Sequence, residues 1–154
     1  MPQVAVIMGS KSDAEVMKGT TAVLDTLGIT YEILTISAHR TPEKARQFGL
    51  TARERGFEVI IAGAGYAAAL PGVLAAWTDL PVIGVPLATS DLKGIDSLYA
   101  IVQMPAGIPV AAMTIGDTGA KNAGYLAAAI LSLKYDKIRQ NYADYRKSLQ
   151  GDEK

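Results

Sequence analysis

The segment "ISAHRTPEK", residues 36–44, holds the only histidine of the chain, His39. It follows an apolar run, is followed by Arg40, and precedes Thr41-Pro42, a pair suited to opening a helix. Imidazole, with an ordinary pKa of ~6.5, can both take and give a proton near neutrality. A guanidinium beside it can pin a phosphate or carboxylate through paired N–H donors. The pattern points to acid/base chemistry on a small anion, with His39 as the proton carrier. The competing reading is a histidine that is merely solvated or packed.

Other chemistries are closed by composition. The chain has no cysteine, so disulfides, thiolate catalysis and Cys-ligated metals are excluded. One histidine cannot build a multi-histidine zinc site. Carboxylate-bound Mg²⁺ is allowed by composition, but no clustered carboxylates stand ready to hold it. Lys+Arg and Asp+Glu balance at 15 each, so no basic field recruits nucleic acid or an anionic membrane. "MPQVAVIMGS" lacks a basic segment before its apolar run and reads as a first strand, not a signal peptide. No apolar stretch approaches the ~20 residues of a membrane span. The expectation is a cytoplasmic protein.

The elements that must position His39 alternate between two periods. "QVAVIMG", "ITYEILTIS", "FEVIIAGAG", "LPVIGVP" and "IPVAAMTIG" read as strands, several of them continuous apolar runs suited to burial on both faces. Between them lie helical patterns. Ser12 with Glu15 fits a capping box, and Val16, Thr20, Val23, Leu24 and Leu27 then share a face up to Gly28. A second helix opens at Thr41-Pro42 and stops at Gly56; "ALPGVLAAWTD", residues 91–104 and "GAKNAGYLAAAILSL" follow. A charged last helix carries Ile138, Tyr142, Tyr145 and Leu149. The small residues of 120–131 suit close helix packing, within the core or between subunits. No linker or repeat divides the chain, so one domain over 1–154 is expected.

Strand–helix alternation predicts an α/β fold, a doubly wound parallel sheet of about five strands with a C-terminal helix. Ligands in such folds bind at the carboxyl ends of the strands. Those ends read "GSKSD", "SAHRTP", "GAGYAAALPG", "PLATSD" and "GDTGAKN". "GSKSD" serves either as a turn and cap or as a phosphate or ribose cradle; the two uses are compatible. "GAGYAA" fits G-x-G-x-x-A, but it follows the third strand, and the next strand ends in proline with no acid for a ribose hydroxyl. A dinucleotide is therefore not expected there.

Taken together, "GSKSDAEVM", "SAHRTPEK", "IIAGAG", "LPGVLAAWTDLPVIGVP", "GIDSLYAIVQMPAGIPVA" and "GAKNAGYLAAAIL" resemble the class I N5-carboxyaminoimidazole ribonucleotide mutases of purine biosynthesis. The resemblance runs from Val4 to about Leu133 and favours class I over the class II aminoimidazole ribonucleotide carboxylases. It implies a three-layer, flavodoxin-like sandwich, usually assembled as a homo-octamer. It implies transfer of a carboxylate from N5 to C4 of the aminoimidazole without ATP, metal or organic cofactor. The ribonucleotide is the only partner expected, with neither nucleic acid nor membrane involved. His39 matches the catalytic histidine. Ser10, Ser12 and Asp13 match residues that hold phosphate and ribose. Ser37, Ala38 and Arg40 flank the histidine, with Arg40 on the phosphate. Gly63, Ala64 and Gly65, then Ala67 and Leu70, match the loop against the ring and CO2.

Two departures fall on that loop. The usual "AGAGGAAHLPG" reads "AGAGYAAALPG", so Tyr66 replaces a glycine and Ala69 a second histidine. Ala106 replaces a frequent arginine. Three readings follow: a mutase that tolerates the changes; a relative that decarboxylates 4-carboxyaminoimidazole ribonucleotide or acts on a related ribonucleotide; and a non-catalytic ribonucleotide-binding protein.

Overall fold

Hydrophobic runs and helix signals resolve into a five-stranded parallel sheet in a computed structural model that describes residues 1–151. The strands are β1 (Val4–Met8), β2 (Tyr31–Thr35), β3 (Val59–Ala64), β4 (Val82–Pro86) and β5 (Ala111–Ala112). The helices are α1 (Ala14–Leu27), α2 (Pro42–Thr51), α3 (Leu70–Trp77), α4 (Ile95–Val102), α5 (Asp117–Leu131) and α6 (Asp136–Gly151). The strand order β2-β1-β3-β4-β5 is the flavodoxin-like order, with its switch point between β1 and β3. The three-layer, doubly wound fold expected from the sequence is thus the fold observed.

β1, β3 and β4 are buried throughout, which explains their unbroken apolar sequences. Side chains alternate between two cores. Val4, Val6, Val59, Ile61, Ile83 and Val85 pack toward α1 and α5. Ala5, Ile7, Ile60, Ala62 and Val82 join a second core with α2, α3 and Ile101 of α4. Each fully buried aliphatic side chain contributes roughly 1.5–3 kcal/mol. β2 lies at an edge and is only partly covered.

The small residues of α5 act within the core. Ala120, Ala123, Ala127 and Ala128 are fully buried. Thr20 Oγ1 on α1 donates to the Ala120 carbonyl at 2.6 Å, so the two helices meet at backbone distance. α6 docks through buried Ile138 and through Asn141, whose Nδ2 donates to the Leu27 carbonyl at the end of α1. Tyr142 and Tyr145 stack on Tyr125 at 6.1 and 4.5 Å between ring centroids, whereas Leu149 is exposed.

Several boundaries differ from the sequence reading. Met17 joins the buried face of α1, and Val16 packs against the same core only half-buried. α2 ends at Thr51, and turns carry the chain to Gly56 at φ +90°. α4 starts only at Ile95, because Lys93 and Gly94 adopt left-handed conformations that interrupt it. β5 keeps two residues, Pro109 having no N–H to offer a ladder. Among the described residues no helix is long and apolar enough to cross a membrane.

Two glycines at the α1–α5 seam should respond oppositely to alanine. A Cβ on Gly124 would lie 2.8 Å from Val23 Cγ1 and 3.2 Å from the Thr20 carbonyl. One on Gly19 has its tightest contact with the flexible Lys121 chain at 3.3 Å and meets Ala120 Cβ and the Asp117 carbonyl at ordinary distances of 3.6 and 3.7 Å. Gly124→Ala should cost roughly 1 kcal/mol net, because overpacking exceeds the gain in helix propensity. Gly19→Ala should be neutral or stabilising by up to ~1 kcal/mol. Urea unfolding midpoints check the pair; equal shifts would show that this seam is not tightly packed.

Candidate active site

Parallel register brings the strand ends into line. Met8 pairs with Thr35 on one side and Gly63 on the other, and Ala64 pairs with Pro86. The loops that follow β1, β2, β3 and β4 therefore open on the same edge. They enclose a cavity of about 570 Å³ lined by residues of all four. That volume suits a small organic ligand.

The β1 loop is organised by a capping box different from the one expected. Ser10, not Ser12, is the cap of a short 3-10 turn over Lys11–Asp13. Ser10 Oγ accepts from the Ser12 N–H at 3.2 Å, and Asp13 Oδ2 accepts from the Ser10 N–H at 3.2 Å. Glu15 is left to pair with Lys18 on the surface. Asp13 wins the N3 role because the 3-10 turn puts it three residues after Ser10 and buries it. Burial pushes the Asp13 carboxyl above its ordinary pKa, and the Ser10 N–H bond only partly offsets this.

The β2 loop is tied by two hydroxyls. Thr41 Oγ1 accepts from the Ser37 N–H at 3.1 Å and donates to the Ser37 carbonyl at 2.9 Å. Ser37 Oγ in turn accepts from the Arg40 N–H at 3.1 Å. Thr41 does open α2 with Pro42 behind it, but its hydroxyl closes the loop instead of capping the helix. The closed loop presents His39 and Arg40 at the exposed cavity wall. Among the described residues the Arg40 guanidinium is in none of the ion pairs, so its charge is available to a ligand.

The β3 loop passes tightly against the loop that follows β4. A Cβ on Gly65 would stand 1.8 Å from Thr89 Oγ1, so only glycine fits there. The buried Ser97 hydroxyl contacts the Tyr66 carbonyl at 3.1 Å, and the Ala68 N–H donates to the Gly65 carbonyl at 3.0 Å. Tyr66 and Ala68 take positive φ, +52° and +20°. α3 then starts at Leu70, and its first turn borders the cavity.

The cavity brings together Ser10, Ser12, Asp13, Ser37, Ala38, His39, Arg40, Ala64, Gly65, Ala67 and Leu70, with Tyr66 and Ala69 among them. Gly63 is not in its wall. It faces α1, where a Cβ would lie 2.5 Å from Met17 Sδ. Strand parity carries the signal: Gly63 shares a face with Val59 and Ile61, and Ala64 does not. Gly9, Ala68 and Thr89 complete the wall and were absent from the sequence-derived set. Thr89 lies within "PLATSD", already recognised as a strand end, but only the closeness of Gly65 reveals its place. No three His, Asp or Glu side chains cluster as metal ligands among the described residues.

A flavodoxin-like sheet with an imidazole, a free guanidinium, a buried carboxylate and serine hydroxyls at its carboxyl edge defines an α/β enzyme for a small anionic substrate. Residues 3–152 match the family model of AIR carboxylase, and the chain belongs to that family. It is 57% identical to the N5-carboxyaminoimidazole ribonucleotide mutase of Pyrococcus abyssi, over 97% of this chain and 84% of that protein. The mutase of Aquifex aeolicus is 60% identical over 87% of this chain and 79% of its own length. Treponema denticola PurE, solved by crystallography, superposes with a TM-score of 0.87 at 31% identity, covering 98% of this chain and 93% of that one.

The buried carboxyl makes stability depend on pH. Because Asp13 titrates higher in the folded than in the unfolded chain, the folded state is favoured most when both are protonated. Stability is then lost as pH rises from the ordinary carboxylate range to the folded pKa. Asp13→Asn keeps an oxygen acceptor for Ser10 without the buried charge. It should melt above the native protein at about pH 7, with the gap narrowing below about pH 4. Thermal melts at both pH values check this; a gap independent of pH would remove Asp13 ionisation as its cause.

Proposed function

We propose that this chain is an N5-carboxyaminoimidazole ribonucleotide mutase of purine biosynthesis, with His39 as its general acid/base. The observation that carries the reading is the cavity itself, where the chain's only imidazole shares a wall with Arg40 and Asp13. Relatives bearing this activity in their names, 54–60% identical over most of the chain, support it.

The chemistry balances around one proton. The imidazolium of His39 gives its proton to N5 as the N5–carboxylate bond breaks and CO2 leaves. C4 then attacks the carbon of the trapped CO2, forming the new C–C bond. The proton displaced from C4 returns to the imidazole. One group serves both transfers, and no co-reactant is consumed. Arg40 holds the phosphate, with Ser10, Ser12 and Ser37 as neutral donors, and Asp13 accepts from the ribose hydroxyls. Backbone N–H groups along Ala64–Gly65 and at the start of α3 receive the carboxylate.

The proposal extends to a cytoplasmic homo-octamer acting on a small ribonucleotide. Leu92, Ile95, Tyr99 and Val102 leave an exposed apolar stripe along and just before α4, which supports self-association. Tyr66 and Ala69 on the active-site loop keep a second reading in play. In it, His39 protonates C4 of the 4-carboxy compound, and CO2 departs for good.

Purified protein, supplied separately with the N5-carboxy and 4-carboxy isomers, separates the two by ultraviolet absorbance and mass. Interconversion is expected, and His39→Asn should reduce it by about 10²–10⁴-fold. Breakdown of the 4-carboxy isomer alone would replace the mutase reading with the decarboxylase. Full activity in His39→Asn would remove the histidine from the chemistry.

Arg40→Ala should raise KM about 10- to 100-fold, the scale of a lost charged hydrogen bond, with a much smaller change in kcat. Steady-state kinetics check this. A collapsed kcat at unchanged KM would move Arg40 from binding to the transition state.

A further inference from the structure

Tyr66 is the one large planar side chain on the β3 loop, followed by Ala67, Ala68 and Ala69. It adopts φ +52°, a conformation that costs a non-glycine residue about 1–2 kcal/mol. Its ring does not recover this by packing, since the residue is 63% exposed. It lines the cavity nonetheless. The backbone beneath it is fixed: Ser97 contacts its carbonyl, Gly65 lies against Thr89, and the Ala68 N–H closes the turn. The loop thus holds an aromatic ring at the cavity rim on a strained backbone, with little protein contact to stabilise it. Strain maintained by surrounding structure is a mark of function.

We infer that Tyr66 stacks on the heteroaromatic ring of the bound ribonucleotide and sets preference for a base-bearing ligand over a bare sugar phosphate. The inference rests on the ribonucleotide reading above. The polar and charged anchors, Ser10, Asp13, Ser37 and Arg40, come from the β1 and β2 loops and serve phosphate and ribose. The β3 loop offers methyl groups and one aromatic face. A flat five-membered ring with exocyclic nitrogen is the part of the substrate that such a surface stabilises. The contact needs the ring and not the hydroxyl. Tyr66 is therefore a binding residue, and proton transfer stays with His39.

Calorimetric titration of the purified protein with aminoimidazole ribonucleotide and with ribose 5-phosphate reads this preference directly. Tyr66→Phe should keep the ratio of the two affinities within about twofold of the native value. Tyr66→Asn, which tolerates positive φ while removing the ring, should lower the ratio by about tenfold, through the base-bearing ligand alone. An unchanged ratio in Tyr66→Asn overturns the inference, as does an equal loss in Tyr66→Phe. So does sedimentation showing that Tyr66→Asn dissociates an assembly, since the ring would then be covered by a second copy. The two isomer assays run beside it keep the parent reading separate. Interconversion with an unchanged ratio sinks only the stacking. A ratio that falls in Tyr66→Asn without interconversion supports the stacking and sinks only the mutase.

Discussion

The register of β1 against β2 and β3 is the constraint on which the site depends. Met8 sits opposite both Thr35 and Gly63, and β4 continues the alignment from Ala64 to Pro86. Parallel strands allow a single edge to collect every strand-to-helix loop, which antiparallel pairing would divide between two edges. A one-residue slip of β3 would turn its alternating core positions to the wrong faces. The apolar residues on both faces of β1, β3 and β4 hold the register, so the core burial that stabilises the sheet also fixes the geometry of the site.

Each loop is then fixed by its own short-range bonds. The Ser10–Asp13 box shapes the first, the Ser37–Thr41 pair closes the second, and Gly65 against Thr89 with Ser97 beneath Tyr66 sets the third. In the second loop the shaping side chains are half-buried, whereas His39 and Arg40 are exposed. Ser37 and Thr41 hold the loop so that His39 and Arg40 remain free. This division explains why the loops carry so many hydroxyls and glycines and so few large side chains. It also makes Tyr66 conspicuous, because that residue has the shape of a ligand contact and the backbone of a glycine.

Much of this was legible in the sequence, and the reasons for the exceptions are specific. β1, β3 and β4 stood out because burial on both faces leaves only apolar residues. His39 and Arg40 stood out because strand ends of parallel sheets are where ligands bind. The cap at Ser10 was hidden because Ser10 and Ser12 compete for one role, and the geometry of a 3-10 turn decided it. Gly63 looked like part of a ligand loop because composition does not reveal direction. Its strand parity points it at Met17. Thr89 lies far from Gly65 along the chain, and only the fold brings them into contact. The left-handed φ of Tyr66 has no counterpart in its own residue type, which ordinarily argues against it.

The charge balance of the cavity bears on the reaction proposed for it. Arg40 and Asp13 are its oppositely charged side chains besides the histidine, and they sum to nothing. An anionic phosphate and carboxylate must therefore be held largely by dipoles: serine hydroxyls, loop N–H groups and the first turn of α3. Fixed dipoles stabilise a carboxylate without binding it as a full cation would, which suits a group that must leave N5 and reattach at C4. Between those events it is CO2, neutral and apolar. The wall formed by Ala64 and Ala67–Ala69 offers such a molecule methyl groups in place of water. A second ionisable side chain at position 69 would bring hydration to that wall. Alanine adds no hydrated group there, and in the proposed mechanism His39 is then the single group through which the proton passes.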